Sequence, residues 1–277
     1  MIVTSNLQAA VQDAVRRLVD YGQPVQTEKW QGLDISKSPQ YAMHELLFHS
    51  FRSTIPNTPA ELAKLVQPNM PWAEDHFLER VSGKPLNPGV QYKNWPYYKH
   101  NPSNDRHRVV DERFTHTYME RFWPKHAGQE ERCCCADHAD DALGGPTNTG
   151  IRFAYGDLQD VIDLLAREPD TRQAYLPVWF PEDTGVVHGG RVPCTLGYHF
   201  ISRGKFLHVV YYIRSCDIVR HFRDDIYLCG RLAQHVLEKT GMGPAGCRVG
   251  SIAMHITSLH CFSAEVPMLK KMVTNAK

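Results

Sequence analysis

One apolar run constrains the fold of this chain more than any other feature of its 277 residues. The five residues from Val209 to Ile213 are all β-branched or aromatic, a composition that favours a buried strand. Pro193-Cys194 precedes this run and Arg214-Ser215-Cys216-Asp217 follows it, so a thiol and a guanidinium can meet in space. A nearby guanidinium favours the thiolate, the nucleophilic form of cysteine. On spacing alone, Cys194 can equally be a small buried hydrophobe.

The composition indicates an ordinary soluble protein. The formal net charge is +1, which gives no broad basic face for nucleic acid. No apolar run is long enough for a membrane span, and residues 1–18 lack a signal-peptide core. We therefore expect a cytoplasmic protein whose eight cysteines stay reduced, with no membrane or direct nucleic-acid partner.

Periodicity and capping patterns predict several further elements. Thr58 begins a capping box, which predicts a short helix from Pro59. Phe114–Trp123 is aromatic and compatible with a helix. The other predicted helices are Leu7–Tyr21, Pro39–Phe51, Asp157–Arg167 and Ile226–Lys239, and the other predicted strands are Ala174–Phe180 and Gly250–Phe262.

A set of motifs extends this pattern. Pro193-Cys194 is followed by Arg214-Ser215-Cys216-Asp217, then by Phe222-Arg223-Asp224-Asp225, and later by the segment GSIAMHITSLHCF that ends at Phe262. Together they resemble the thymidylate synthase superfamily over about Asp157 to His260. The resemblance is closest to the virus-encoded deoxycytidylate hydroxymethylases and C5-methyltransferases, including those of bacteriophages.

The resemblance implies an α/β fold of one domain over residues 1–277, with a family-atypical insertion around residues 100–150. It implies a large, mixed, bent β-sheet flanked by helices, and a homodimer in which two such sheets pack back to back. The active sites are then shared between subunits. From the same resemblance we expect no counterpart of the long C-terminal lid of thymidylate synthase beyond the last strand.

The resemblance also implies a one-carbon transfer. Cys194 attacks C6 of a pyrimidine nucleotide, and C5 then takes the one-carbon unit of the co-substrate 5,10-methylenetetrahydrofolate. Water gives a hydroxymethyl product, whereas hydride gives a methyl product. The implied roles are proton and water handling for Glu45, phosphate binding for Arg214, Ser215, Lys29 and the partner-reaching Arg172, sugar binding for His260, and folate contacts for Asp217 and Trp72.

Some of these roles have plain structural alternatives. Lys29 can be a solvated surface lysine, Trp72 can be a core residue, and Glu45 can lie on the surface of an amphipathic helix. The chain also departs from the family pattern. Gln173 replaces the second arginine after Arg172, so one phosphate-binding charge is missing, and Phe262 lacks the phenolic donor expected on the sugar.

The residue at position 225 indicates which pyrimidine base the site binds. Uracil presents a carbonyl at position 4 and an N3–H group, which suit an asparagine amide, whereas cytosine presents an amino donor that suits a carboxylate. The resemblance places Asn here in thymidylate synthases and Asp in the cytidylate enzymes. We therefore predict dCMP as substrate, with hydroxymethylation first and C5-methylation as the alternative. A catalytically silent nucleotide-binding homologue is the third possibility.

A cysteine-rich segment is a candidate for a metal site. It contains Cys133, Cys134, Cys135, Asp137 and His138. Three consecutive cysteines cannot easily aim at one tetrahedral zinc ion, and the chain has no second paired motif. We therefore predict no metal site.

Overall fold

A computed structural model describes residues 2–4, 6–30, 33–97, 108–109, 113–127, 156–184 and 192–275. The main sheet is mixed and contains seven of the described strands, which are β1 (Ile2–Val3), β2 (Gln23–Val25), β5 (Met43–Thr54), β8 (Tyr175–Pro177), β9 (Thr195–Arg203), β10 (Phe206–Asp217) and β11 (Arg248–Phe262). Their order across the sheet is β1-β5-β11-β10-β9-β8, and β2 pairs with β5. Two small ribbons pair β3 (Lys29–Trp30) with β4 (Leu33–Asp34), and β6 (Arg108–Val109) with β7 (Arg113–Phe114).

The centre of the sheet is a hairpin followed by a crossover. β9 and β10 are antiparallel and joined by two residues, of which Gly204 has a φ of 59° that a glycine adopts without strain. β10 and β11 are parallel, so the chain must cross over between them. The helix over Phe222–Lys239 makes this crossover. It places its first turn near the carboxyl ends of both strands.

The predicted central strand is confirmed. Val209, Tyr211 and Ile213 are each at most 1 % exposed, while Val210 and Tyr212 between them are half-buried. This alternation follows from the two-residue period of a strand. It also shows that β10 buries one face completely and the other only in part.

Helices flank this sheet. They are α1 (Leu7–Tyr21), α2 (Pro59–Val66), α3 (Trp72–Arg80), α4 (Gln91–Asn94), α5 (Tyr118–Phe122), α6 (Leu158–Arg167), α7 (Phe222–Lys239) and α8 (Val266–Asn275). The helices predicted over Leu7–Tyr21 and Asp157–Arg167 and the strand predicted over Gly250–Phe262 are confirmed. The Thr58 cap is confirmed as well, because its side chain accepts the Glu61 N–H. No helix in the described part of the chain is long and apolar enough to cross a membrane.

The helix predicted over Pro39–Phe51 is wrong. Only Pro39–Tyr41 forms a single 3₁₀ turn, and the chain then enters β5. Burial alternates with the two-residue period of a strand over residues 49–54. His49, Phe51 and Ser53 are buried, while Arg52 and Thr54 are exposed. Pairing with β11 along the length of β5 satisfies the backbone in a way that local propensity does not anticipate.

Three other predicted elements have different boundaries in the structure. The strand predicted over Ala174–Phe180 shortens to β8, and the helix predicted from Ile226 begins at Phe222. The Phe114–Trp123 segment forms a helix only over α5, which starts after a capping box between Thr117 and Glu120. Most of the predicted insertion, including Cys133 to His138, lies outside the described residues.

Candidate active site

Three strands bring polar side chains into one row across the sheet. In the strand register Asp217 of β10 is opposite His260 of β11, which is opposite Glu45 of β5. The Ser258 hydroxyl, two residues before His260, donates to the Glu45 carboxylate and lies 3.5 Å from His260 Nδ1. Glu45 is therefore oriented by β11, its neighbour in the sheet, and not by residues of a helix.

The candidate nucleophile lies beside this row. Cys194 immediately precedes β9 and is half-buried, and its carbonyl accepts the Arg214 backbone N–H at 2.9 Å. The Arg214 guanidinium donates to the carbonyls of Pro193 (2.8 Å) and Val192 (3.1 Å). Arg214 thus holds the loop that presents the thiol, and this charge–dipole contact stabilises the loop next to the cavity.

Asp225 lies in the first turn of α7, close to the end of β10. Burial raises the pKa of its carboxyl from 3.8 to about 7, and the nearby Arg80 lowers it while Asp224 raises it further. The Cys216 thiol donates to Asp225 Oδ2 at 3.5 Å. A carboxyl with a pKa near 7 can exchange a proton at neutral pH, which an ordinary surface aspartate does not do.

These side chains share one cavity of about 1020 Å³. This volume is at the upper end of small-molecule sites. The predicted site residues that line it are Glu45, Trp72, Cys194, Arg214, Ser215, Asp217, Asp225 and His260. The sheet and the α7 turn therefore bring together residues that are far apart in the sequence.

One predicted site residue lies away from the cavity. Arg172 is exposed on the loop before β8 and does not line the cavity wall of its own chain. The resemblance implies that this arginine reaches the phosphate of a neighbouring subunit. Lys29 falls on β3, and its side chain lies outside the described residues.

Aromatic rings line part of the cavity. The Trp72 indole donates to the Gln91 carbonyl at 2.8 Å and stacks on His76 with ring centroids 5.0 Å apart. Trp95 and Tyr97 also line the cavity. Flat aromatic rings of this kind can stack on a planar heterocycle.

Asp217 has more local partners than the sequence indicated. One of its oxygens accepts the backbone N–H groups of Val219 and Arg220, and the other accepts the Arg220 guanidinium at 2.9 Å. Glu265 binds the same guanidinium at 2.6 Å. These contacts hold the turn between β10 and α7, while Asp217 still lines the cavity.

Sequence reasoning missed two residues of the site. Arg80 is 7 % exposed and places its guanidinium 4.1 Å from the ring centre of Tyr118; both line the cavity. Ala73, Phe77 and Arg80 share the buried face of α3. An arginine on an otherwise apolar helix face was therefore the available signal, because such a charge is seldom buried without a partner.

Among the described residues, no cluster of three or more histidine, cysteine, aspartate or glutamate side chains has the geometry to hold a metal ion. The cysteine-rich segment considered in the sequence lies outside those residues. The five described cysteines, Cys194, Cys216, Cys229, Cys247 and Cys261, are free thiols.

Comparison with known proteins shows the family to which this chain belongs. The family model described as "Thymidylate synthase" matches residues 116–277, which is more than half of the chain. The chain therefore belongs to the thymidylate synthase family. Membership implies folate-dependent one-carbon transfer to C5 of a pyrimidine nucleotide, and the mixed sheet flanked by helices is consistent with the family fold.

Curated relatives share the family but only at low identity. A protein named "Putative thymidylate synthase" from Methanosarcina mazei is 26% identical over 151 residues, covering 50% of this chain and 67% of the relative. The protein of the same name from Methanosarcina barkeri gives the same identity and coverage. One from Methanococcoides burtonii is 25% identical over 132 residues, covering 43% of this chain and 59% of the relative. At this distance the relatives do not distinguish the base or the product.

Proposed function

We propose that the protein transfers the one-carbon unit of 5,10-methylenetetrahydrofolate to C5 of dCMP and gives 5-hydroxymethyl-dCMP. The observation that carries the proposal is Asp225, a carboxyl on the cavity wall with Cys194, at the position where the family resemblance implies an asparagine in uridylate enzymes. A carboxylate accepts a hydrogen bond from the cytosine amino group but cannot donate to the uracil carbonyl.

In this proposal each residue of the cavity has a separate role in the reaction. Cys194 adds to C6 of the pyrimidine, which makes C5 nucleophilic. Arg214 and Ser215 hold the nucleotide phosphate together with Arg172 of a second subunit, and His260 binds the sugar. When bound, methylenetetrahydrofolate supplies the one-carbon unit at the oxidation level of formaldehyde.

Glu45 is the residue that we assign to water handling in the hydroxymethyl route. Its carboxylate is held by Ser258 in the row that also contains His260, so it can orient a water molecule at the base ring. Addition of that water to an exocyclic methylene group gives hydroxymethyl, whereas hydride transfer gives methyl. Both outcomes use the same side chains up to this step.

We further propose that the active molecule is a homodimer formed through the less covered face of the sheet. Val210, Tyr212 and His255 on this face are half-buried in the single chain, and the Tyr212 and His255 rings stack 5.5 Å apart. Leu47 and Phe48 on β5 are 52% and 78% exposed. Apolar residues exposed on a sheet are typical of a surface that a partner covers.

The proposal is tested by mass spectrometry of the nucleotide product. The purified protein is incubated with dCMP and methylenetetrahydrofolate, with dUMP in parallel reactions. A gain of one hydroxymethyl group on dCMP supports the proposal, and a methyl group on dCMP identifies the methyltransferase instead. Product from dUMP alone refutes the base assignment. Nucleotide binding without turnover of either substrate identifies a silent homologue.

A further inference from the structure

A buried positive charge lies on the wall of the cavity. Arg80 is 7 % exposed, and it lines the cavity together with Cys194 and Asp225. Within the described part of the chain, its side chain makes one hydrogen bond, from Nε to His76 Nε2 at 3.0 Å, and no ion pair with a carboxylate. Three other arginines of low exposure do form an ion pair with a carboxylate, namely Arg121, Arg220 and Arg231.

The hydrogen-bond acceptor of Arg80 does not neutralise this charge. Burial lowers the pKa of His76 and the Arg80 charge lowers it further, so the imidazole is neutral at pH 7. Glu79 contacts the opposite ring nitrogen, Nδ1, at 3.3 Å and reaches Arg80 only through that ring. Because a buried cation without a direct partner is costly, a ligand that brings negative charge to Arg80 is favoured.

The terminal nitrogens of Arg80 are available to such a ligand. Among the described residues neither has a hydrogen-bond partner, and neither is sealed inside the protein. Since the residue as a whole is buried and lines the cavity, these atoms face the cavity. A guanidinium has five N–H donors, and Nε provides only one of them, so the donors on the terminal nitrogens remain.

The position of Arg80 places this charge beside the candidate nucleophile. Its guanidinium carbon lies 4.1 Å from the ring centre of Tyr118. The Tyr118 hydroxyl accepts a hydrogen bond from Thr195 Oγ1 at 3.1 Å, and Thr195 directly follows Cys194. Arg80 also lowers the pKa of Asp225 against the larger effect of burial, so its charge acts on that carboxyl as well. A pyrimidine that lies between Cys194 and Asp225 is therefore next to Arg80.

We propose that Arg80 stabilises the negative charge that the pyrimidine ring acquires when the Cys194 sulfur adds to C6. The inference rests on the proposed function, because that function requires this addition. Arg80 is then a further catalytic residue, since its terminal N–H groups contact the ring that carries the charge. It acts on the ring in the adduct and not on the nucleotide phosphate.

The electron balance of the addition shows why a cation is needed. A lone pair of the thiolate sulfur forms the S–C6 bond, and the C5=C6 π pair becomes the C4=C5 π pair. In cytosine the former C4=N3 π pair moves to N3, from which the charge spreads to O2. The negative charge thus passes from sulfur to the ring, and no proton or external electron is involved. A cation that the folded chain already holds in place stabilises this charge without reorganisation.

Three substitutions at Arg80 separate its charge from its shape. Arg80→Gln removes the charge and keeps an N–H donor, whereas Arg80→Lys keeps the charge and loses the planar fork. Arg80→Ala leaves space for a small ion. The matched control is Arg223→Gln, because Arg223 is a half-buried arginine that donates to the Val66 carbonyl at 2.7 Å and does not line the cavity.

The decisive measurement compares formation of the covalent adduct with binding of the nucleotide. With 5-fluoro-dCMP and methylenetetrahydrofolate the adduct accumulates, because fluorine cannot leave C5 as a proton, and mass spectrometry of the intact protein follows its rate. We expect Arg80→Gln to form the adduct about 10²-fold more slowly, the usual loss on removing one charge-stabilising donor. Its affinity for dCMP, measured by calorimetry, should stay near the wild-type value because the ring of the free nucleotide is neutral. Arg80→Lys should retain more of the rate, and Arg223→Gln should match the wild type.

Chemical rescue tests the charge directly. Guanidinium chloride at a non-denaturing concentration should restore part of the adduct rate in Arg80→Ala. Urea, which is planar and of similar size but neutral, should restore none. If circular dichroism shows that Arg80→Ala does not fold, the comparison of Arg80→Gln with Arg80→Lys decides in its place.

Three results would overturn the role of Arg80. The first is adduct formation at the wild-type rate in Arg80→Gln, and the second is equal rescue by urea and guanidinium. The third concerns the thiol, whose alkylation by iodoacetamide is followed by peptide mass spectrometry at Cys194. Equal losses of alkylation and of adduct in Arg80→Gln would mean that Arg80 acts on the thiolate and not on the ring.

Parallel reactions with 5-fluoro-dUMP distinguish this inference from the proposed function. A wild-type adduct with the uridylate probe alone refutes the base assignment, and the Arg80 variants then test the charge on that ring. An adduct in the wild type with an undiminished rate in Arg80→Gln refutes the role of Arg80 alone. If the wild type forms an adduct with neither probe, both the covalent route and the role of Arg80 are refuted.

Discussion

At the scale of single residues, Cys194 and Cys216 illustrate how position determines the chemistry of a side chain. Cys194 lies half-buried on the cavity wall, where a ligand can reach its thiol. Cys216, two residues after Arg214, is 1 % exposed, and burial raises the pKa of its thiol well above the usual value. The two thiols should therefore respond differently to substitution.

We expect Cys194→Ala to abolish turnover and C5 proton exchange while nucleotide binding is largely retained, because the phosphate ligands are unchanged. Cys216→Ser is the matched control and should remain active, since serine still donates to Asp225. Product formation and dCMP affinity by calorimetry check both variants. Full activity in Cys194→Ala would exclude the covalent mechanism.

Asp225→Asn tests the choice of base. The amide keeps the size of the side chain but both donates and accepts, which suits uracil. A mismatched buried hydrogen bond costs about 1–3 kcal/mol, so kcat/KM for dCMP should fall at least ~10-fold while that for dUMP rises. Steady-state kinetics with both nucleotides measures the change. A uniform loss on both would mean that Asp225 does not read the base.

The same substitution changes the pH dependence of stability. Because the pKa of Asp225 is raised in the folded protein, its neutral form stabilises the fold, and this stability is lost as the pH rises from about 4 through about 7. Asp225→Asn should therefore melt at a higher temperature than the wild type at pH 8 and show little difference near pH 4. Thermal unfolding followed by circular dichroism measures both values.

At the scale of elements, α6 shows how a helix far from the cavity supports the fold. Leu158, Val161, Ile162 and Leu165 are its buried residues, and Asp157 caps its first turn through a capping box. The spacing of these leucine, valine and isoleucine residues gives one continuous apolar face. The packing of this face, and not helix propensity, should account for most of its stability.

We expect Leu165→Ala to lower the free energy of unfolding by about 2–5 kcal/mol, because the side chain is fully buried and its removal leaves a cavity. Arg167→Ala on the exposed side of the same helix should change it by less than about 0.5 kcal/mol. Urea denaturation measures both variants. Equal effects would mean that the apolar face of α6 does not contribute to the core.

At the scale of the whole molecule, the location of Arg172 bears on whether the phosphate site is formed by two subunits or by one. Arg172 is exposed and outside the cavity that its own chain forms. The proposed homodimer would let it complete the phosphate site of a partner, whereas a monomeric site would depend on Arg214 and Ser215 alone. The two arrangements differ in how inactive subunits complement one another.

Mixing Arg172→Ala and Cys194→Ala homodimers should restore part of the activity. In a hybrid dimer, one site combines an intact Cys194 with an intact Arg172 from the other subunit. The control mixes Cys194→Ala with Cys194→Ser, which cannot rebuild any site. Subunit exchange is verified by native mass spectrometry. Absence of rescue after exchange would show that each site comes from one chain.

Local patterns determined part of this structure. The α1 and α6 helices and the strands β10 and β11 follow from apolar periodicity, because a buried face repeats at 3.6 residues in a helix and at 2 in a strand. These helices and strands depend on neighbours that are close in the sequence. The cavity residues Cys194, Arg214 and Asp225 were instead predicted from the family resemblance of their motifs.

Only the tertiary structure decided how the cavity is assembled. The segment containing Glu45 became a strand because β11, more than 200 residues later in the chain, supplies its backbone partners. Arg80 and Tyr118 joined the site because α3 and α5 pack against the same cavity. The raised pKa of Asp225 required its burial, which outweighs the lowering by Arg80. Long-range contacts of this kind form only when the chain is folded, so no local pattern records them.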